Sequence, residues 1–105
     1  MTKSDLNKKQ IRFLKAQAHA LDPVVRVGQH GLTDAVFREL DIALDHHELV
    51  KIKVAADDRE AREVLLKEIS SKSRAIIVQT IGGVAVLFRQ NPEKPVIDLS
   101  KASRT

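Results

Sequence analysis

Residues 24–33, VVRVGQHGLT, decide how this chain folds. Val24 to Val27 is apolar except for Arg26, and this predicts a short strand that is covered on both faces. Gly28 and Gly31 then bound a tight turn, because glycine adopts positive φ and lets another backbone approach. Thr33 is a favourable N-cap residue, so a helix is expected to begin there. The stretch therefore predicts a strand, a turn and a helix in direct succession.

The turn itself, Gly28-Gln29-His30-Gly31, is a candidate anion site. A turn that leads into a helix presents backbone N–H groups beside the partial positive charge of the helix N-terminus, and phosphate is the anion that such a position usually binds. The G-x-x-G spacing alone is also consistent with a connection that needs glycine only for its conformation. Likewise, His30 fits an exposed turn residue as well as a phosphate donor.

Composition limits the class of protein. The chain has 105 residues, of which 43% are hydrophobic, and this is enough for one domain with one core. The absence of cysteine excludes a disulfide framework and a cysteine zinc site. No apolar run approaches the roughly 20 residues of a membrane span, and residues 1–9 are polar and basic rather than signal-peptide-like. We expect a cytoplasmic protein without membrane association.

Charge is unevenly distributed along the chain. The net charge is +4, but residues 1–30 contain six bases and two acids, whereas residues 33–48 contain five acids and one base. A face of one sign attracts polyanions more strongly than the net charge implies. The glycine turn lies at the border between the two regions.

Ser4 or Asp5 is expected to cap a first helix that ends at about residue 20. Apolar residues recur in it at helical spacing. Lys8, Arg12 and Lys15 share another side of this helix, at spacings of i, i+4 and i+7. A basic row of this kind, taken alone, is more often a solvated helix face than a binding surface.

The other elements follow from periodicity and turn residues. In the second strand, Lys51 and Lys53 alternate with apolar residues and so point to the opposite side of the sheet. Asp57 is the expected N-cap of the third helix, and residues 70–73 are expected to form a loop after it. The elements expected after the glycine turn are a helix from Thr33 to about His46, a strand from Leu49 to Val54, a helix to about Ile69, and strands from Ala75 to Ile81 and from Val84 to Arg89, joined by Gly82-Gly83.

This order predicts an α/β fold, α-β-α-β-α-β-β, with a mixed four-stranded sheet packed against helices. Each β-α-β unit should join parallel strands through a right-handed crossover. The Gly-Gly hairpin should add the one antiparallel pair. Pro92, Pro95 and scattered charges indicate that residues 91–105 form an extended or frayed tail, with brief contacts from the apolar residues 96, 97 and 99.

The sequence shows no catalytic constellation. It contains no G-x-S-x-G nucleophile motif and no G-x-x-x-x-G-K-[ST] phosphate-binding loop. His46, His47 and Glu48 are adjacent at a helix end, where their side chains diverge, so they make a poor metal site. Asp57 and Asp58 fit helix caps better than a catalytic pair. We therefore expect a protein that is not an enzyme and has no metal, cofactor or small-molecule substrate.

A nucleic-acid-binding surface is the better-supported hypothesis. The glycine turn and the nearby bases could form one surface, because backbone N–H groups, Lys and Arg suit sugar-phosphate. With three aromatic residues the chain lacks a stacking platform, which favours recognition of backbone and shape, although charge alone does not separate RNA from DNA. The candidate residues are Gly28, Gln29, His30 and Gly31 in the turn, and Lys8, Lys9, Arg12, Lys15, Arg26, Lys51 and Lys53 on the basic surface.

Several segments together carry a resemblance to a known family. They are KQ at 9–10, PVV at 23–25, VGxxGLT at 27–33, HELVKIKV at 47–54, DRE at 58–60, VQxIG at 78–82 and LFR at 87–89. In this order they resemble the CRM domain (chloroplast RNA splicing and ribosome maturation), with the bacterial single-domain YhbY-type proteins the most similar. Asp22 departs from the family's frequent lysine and Phe88 from its frequent tyrosine, and both changes could weaken a contact without altering the fold.

The resemblance implies a fold similar to the C-terminal domain of translation initiation factor three. It also implies RNA binding through the G-x-x-G loop and its basic neighbours, with ribosomal RNA of a large-subunit precursor as the partner in ribosome assembly. Under this hypothesis residues 1–90 form a single CRM-type RNA-binding domain. The alternative hypothesis is a protein–protein adaptor, in which the acidic side of the second helix docks on a ribosomal or assembly protein.

Overall fold

The computed structural model describes residues 6–28, 31–56 and 58–104. This part of the chain forms three α-helices, four strands and a C-terminal 3₁₀ helix, which confirms the expected α/β class. The elements are α1 (Lys8–Ala18), β1 (Pro23–Val27), α2 (Asp34–His47), β2 (Leu49–Val54), α3 (Arg59–Ser73), β3 (Ile76–Ile81), β4 (Val84–Phe88) and the 3₁₀ helix (Leu99–Arg104).

The four strands form one mixed sheet in the order β1-β2-β4-β3. β1 and β2 are parallel, as expected, but β4 lies between β2 and β3 and is antiparallel to both. The expectation of a single antiparallel pair was therefore wrong. The physical reason is burial: residues 85–88 of β4 are buried on both faces of the sheet, whereas Thr80 and Ile81 of β3 are exposed and suit an edge.

Helices cover both faces of the sheet, so the sheet separates the core into two parts. On one face, Leu40 and Leu44 of α2 and Ile69 of α3 pack against alternate residues of the strands. On the other face, Leu14 and Ala18 of α1 pack against residues that include Phe88. Because α1 covers only part of its face, alternate residues of β1 on that side stay exposed, with Val24 at 49%.

Side-chain caps fix the starts of α1 and α2. Thr33 caps α2 as expected, since its hydroxyl accepts a hydrogen bond from the Val36 backbone N–H at 3.2 Å. The cap of α1 was predicted wrongly, because Asn7 occupies that position; Ser4 and Asp5 lie outside the described residues. Asn7 and Gln10 form a reciprocal capping box, with distances of 2.8 and 3.0 Å between side-chain oxygen and backbone nitrogen.

The helix α3 also differs from the expectation at both ends. Its N-cap is Asp58, whose carboxylate accepts from the Ala61 N–H at 2.7 Å, while Asp57 is outside the described residues. At the other end, the expected loop at residues 70–73 is helical. Ser73 donates to the carbonyl of Ile69 at 2.6 Å, so its hydroxyl is satisfied within the helix.

The buried side of α3 is shifted from the predicted stripe. Helical periodicity in the sequence indicates a stripe of Ala61, Val64, Leu65 and Ile69, but Val64 is 65% exposed, whereas Leu66 is 6% exposed. The helix ends at Arg74, which adopts the left-handed conformation with φ 61°. The longer helix therefore turns directly into the buried start of β3.

Where the structure describes it, the C-terminal segment is docked on the domain rather than frayed, and the contacts expected for residues 97 and 99 are present. Ile97 and Leu99 pack against the α1 side of the core, and Ala102 is buried. Glu48 is the physical reason. Its carboxylate is fully buried and accepts backbone N–H groups from Val96 at 2.7 Å, Ile97 at 2.6 Å and Asn91 at 2.5 Å. A buried carboxylate requires such partners, and they fix the segment in place.

Candidate nucleic-acid interface

Three turns meet at one end of the sheet. The carbonyl of Val27, at the end of β1, accepts from the N–H of Ala55 at 2.9 Å, and the N–H of Val54 donates to the carbonyl of Gly83 at 2.7 Å. These bonds join the β1–α2, β2–α3 and β3–β4 connections. Both α2 and α3 begin at this end, so two helix N-termini add partial positive charge there. We call this region the open end of the sheet.

The described residues of the glycine turn are accessible. Gly31 has φ 76° and donates its N–H to the carbonyl of Gly28 at 3.0 Å, which closes the turn. Gly28 is exposed, and a Cβ at either glycine would meet no atom within 4 Å. Gln29 and His30, the other two predicted loop residues, lie outside the described residues. Gly28 and Gly31 are thus not covered by the described helices.

The strand cations lie together on the face opposite α2 and α3. Arg26 and Lys53 are direct partners in the parallel pairing of β1 with β2, so their side chains stand on the same face. Lys51 precedes Lys53 by two residues and shares that face. Arg26 and Lys53 are exposed and Lys51 is half-buried. Strand pairing therefore sets the spacing of the Cα atoms that carry these three cations.

The helix α1 contributes a fourth cation to this group. Lys15 of α1 and His19, the C-cap residue of that helix, line a small cavity of about 50 Å³ together with Lys51 and the tip of the β3–β4 hairpin. His19 is exposed. We define the basic sheet surface as Lys15, Arg26, Lys51 and Lys53.

The remaining predicted cations of α1 are exposed but are not joined to the basic sheet surface by a described contact. Lys8 and Lys9 lie in the first turn of the helix, and Arg12 lies one turn before Lys15. They extend positive charge along α1 towards its N-terminus. Between described residues, none of the predicted basic residues takes part in an ion pair.

The acidic residues of α2 and its end are largely engaged within the fold. Arg89 donates to the Asp41 carboxylate at 2.6 Å and to the Asp45 carboxylate at 2.9 Å. Glu48 is buried against the C-terminal segment. Of the five acids in residues 33–48, only Asp34 and Glu39 are exposed without such a contact to another described residue. The acidic side is therefore less available than its sequence indicated.

Sequence reasoning missed an open cleft on the same face as the basic sheet surface. The cleft has a volume of about 450 Å³ and lies between the end of α1, the strands β1 and β2, and the C-terminal segment. Its position depends on the docking of that segment, which no periodicity in the sequence indicated. Val24 marks the cleft, because it is 49% exposed in a strand that was predicted to be covered on both faces. This exposure could not be read from the sequence.

Two further observations concern metal binding and membrane insertion. The described residues contain no cluster of three or more His, Asp or Glu side chains arranged to hold a metal ion. Among the helices in the described ranges, none is both long and apolar enough to cross a membrane.

The fold and the site define a class of protein: a small mixed α/β domain in which two accessible turn glycines lie beside strand cations that form no ion pair with another described residue. The particular family follows from comparison. The chain belongs to the CRS1/YhbY (CRM) domain family, whose model matches residues 6–89. The match covers all four strands and the glycine turn.

Relatives of known name share this length and fold. A Haemophilus influenzae protein named "RNA-binding protein" is 46% identical over 87% of this chain and 92% of its own length. A Pseudomonas aeruginosa relative, named a probable RNA-binding protein, is 43% identical over 94% of both chains. The solution structure of a hypothetical Staphylococcus aureus protein superposes with a TM-score of 0.75 at 30% identity, covering 89% of this chain and 97% of the other.

Proposed function

We propose that this protein is a non-catalytic RNA-binding protein of the cytoplasm that binds ribosomal RNA during assembly of the large ribosomal subunit. The RNA backbone lies across the open end of the sheet. The turn N–H groups and the start of α2 bind a phosphate, and the basic sheet surface neutralises its neighbours. Lys8, Lys9 and Arg12 extend the contact along α1.

One observation carries the proposal: the accessible glycines of the turn and the strand cations Arg26 and Lys53 share one end of the sheet, and Lys51 lies on the same face two residues before Lys53. Arg26 and Lys53 lie one residue before their strands end, directly beside the turn connections. Their charges are not neutralised by an ion pair to another described residue. Such a surface suits a polyanion, and the names of the relatives support RNA as that polyanion.

The adaptor hypothesis has less support. Its docking surface was the acidic side of α2, and Asp41, Asp45 and Glu48 are engaged by other parts of the same chain. The two remaining exposed acids, Asp34 and Glu39, provide a smaller charge for a basic partner.

The salt dependence of RNA affinity tests the basic sheet surface. In the triple variant Arg26→Ala, Lys51→Ala, Lys53→Ala, the slope of log K against log salt should fall by about 2, because each lost phosphate contact removes about 0.7 to 0.9. The probe is a transcribed fragment of large-subunit ribosomal RNA, and affinity is measured by fluorescence anisotropy at several salt concentrations.

The matched control is the triple variant Arg38→Ala, Lys67→Ala, Lys94→Ala, which loses the same charge at exposed positions elsewhere. Its slope should stay near that of the unchanged protein. An equal fall of the slope in both variants would mean that only net charge attracts RNA, and the proposed interface would be wrong.

Crosslinking in cells, followed by sequencing of the attached RNA, tests whether the bound RNA is ribosomal RNA. Recovery of other RNA instead would contradict this part of the proposal.

A further inference from the structure

The open cleft has walls of two chemical kinds. Leu21, Val24, Leu49 and Ile97 give it apolar walls, although Val24 is 49% exposed to solvent. Its volume of about 450 Å³ lies within the range of small-molecule sites, which is about 300 to 1,000 Å³. Apolar walls around an unfilled space of this size suit a flat, uncharged ligand group.

Polar groups stand among the apolar walls. The lining includes the side-chain amide of Gln17, the imidazole of His47 and the carboxylate of Asp22. An amide and a neutral imidazole each both donate and accept hydrogen bonds, and the carboxylate accepts them. Gln17, Asp22 and His47 are all exposed, so the edge of a ligand could reach them without burying an unpaired polar group.

Lys51 connects the cleft to the basic sheet surface. It lines the large cleft and also the small cavity that contains Lys15. A ligand in the cleft that carried a phosphate would therefore find a cation within the reach of one side chain. Apolar walls, hydrogen-bonding groups and an adjacent cation match the three parts of a nucleotide, namely the base face, the base edge and the phosphate.

We propose that this cleft binds a single unpaired nucleobase of the RNA strand whose phosphates lie on the basic sheet surface. The inference rests on the proposed function and deepens it, because it states that the RNA ligand has an unstacked nucleotide at this point. A base-paired nucleotide keeps its faces stacked and its edge engaged, so a continuous duplex cannot fill the cleft.

The buried Glu48 is the positioning residue for one wall. Its carboxylate accepts the backbone N–H groups of Val96 and Ile97, and the Ile97 side chain lines the cleft. Glu48 does not line the cleft itself. The C-terminal segment thus completes the base site, and this gives the buried carboxylate a role beyond attachment of the tail.

The test compares two probes with the same phosphates. One is an eight-nucleotide single-stranded oligouridylate, and the other is an abasic oligoribonucleotide of equal length. The unchanged protein should bind the oligouridylate about tenfold more tightly, because only this probe has a base that can bury apolar surface in the cleft. Val24→Gln, which makes a wall polar without changing charge, should remove this advantage and leave the affinity for the abasic probe unchanged.

Controls separate the cleft from the fold and from the proposed function. Val64→Gln, the same change at an exposed position of α3, should leave both affinities unchanged. Ala20→Gln on another wall should act as Val24→Gln does, and thermal unfolding checks that the variants are folded.

Three other outcomes would each lead to a different conclusion about the cleft and about RNA binding. Equal affinity of the unchanged protein for both probes would overturn the base site and leave phosphate binding intact. Failure to bind either probe or the ribosomal RNA fragment would overturn the proposed function as well. Loss of a co-purifying protein from the Val24→Gln variant, with unchanged preference for the oligouridylate, would assign the cleft to a peptide side chain and overturn the base site.

Discussion

The two ends of the sheet use charge in opposite ways. At the open end, Arg26 and Lys53 stand beside the turns, and no ion pair joins either to another described residue. At the opposite end, Arg89 follows β4 and donates to the carboxylates of Asp41 and Asp45 and to two backbone carbonyls. One arginine is thus part of the structural framework, while the other remains available to a ligand.

The same contrast applies to backbone groups. We call the end of the sheet with Arg89 and Glu48 the closed end. There the carboxylate of Glu48 accepts hydrogen bonds from three N–H groups of the C-terminal segment, and Arg89 donates to the Ser73 carbonyl at the end of α3. At the open end, Thr33 and Asp58 cap one N–H group each, whereas Gly28 stays exposed. The comparison teaches that a charge is informative about function only after its structural contacts are known.

The largest expected effect comes from removing the buried carboxylate of the closed end. Glu48→Ala should lower the free energy of unfolding by about 3 kcal/mol, because hydrogen bonds to a charged group are worth about 1.5 to 3 kcal/mol and several are lost together. Urea denaturation measures the loss. Hydrogen exchange at the Val96 and Ile97 amides, which donate to this carboxylate, should become faster.

Glu39→Ala provides the control for this change. Glu39 is exposed on α2, the helix that ends directly before Glu48, and its removal should change the free energy of unfolding by less than about 0.5 kcal/mol. A small loss in both variants would mean that the C-terminal segment does not depend on Glu48, and the closed end would then be held by apolar contacts alone.

A smaller effect is expected at the arginine of the closed end. Arg89→Lys keeps the charge but cannot reach both carboxylates and both carbonyls, because an ammonium lacks the planar fork of a guanidinium. Since Asp41 and Asp45 are more than 60% exposed, solvent screens their pairing, and we expect a loss of about 1.5 kcal/mol. Thermal unfolding measures it. Arg38→Lys is the matched control on α2, and equal stability of the two variants would contradict a structural role for the fork.

Local sequence patterns predicted most of the elements. β2 begins and ends at the predicted residues, Thr33 caps α2, and Gly82-Gly83 joins two antiparallel strands, because each depends on neighbours in sequence. The number of antiparallel pairs was predicted wrongly, since alternation along one strand does not state which strand lies beside it. The apolar run of residues 85–88 was the available signal, because burial on both faces requires a central position.

The candidate site was predictable in part for the same reason. The alternation of Lys51 and Lys53 with apolar residues correctly placed these two cations on the face away from α2. The role of Glu48 could not be predicted, because its partners lie more than forty residues later in the chain and are backbone groups without a side-chain pattern. The cleft depends on that contact, so it was hidden as well.

The smallest expected effect compares two glycines of the open end. Gly31 and Gly82 have φ of 76° and 56°, and a Cβ on either would meet open space. Gly31→Ala and Gly82→Ala should therefore each lose about 1 kcal/mol of stability through backbone strain alone. Their RNA affinities should differ, because only Gly31 belongs to the turn that we propose binds phosphate. Gly31→Ala should weaken binding of the ribosomal RNA fragment about threefold, or about 0.7 kcal/mol, and Gly82→Ala should not. Equal affinities at equal stability would remove the glycine turn from the interface and leave RNA binding to the strand cations.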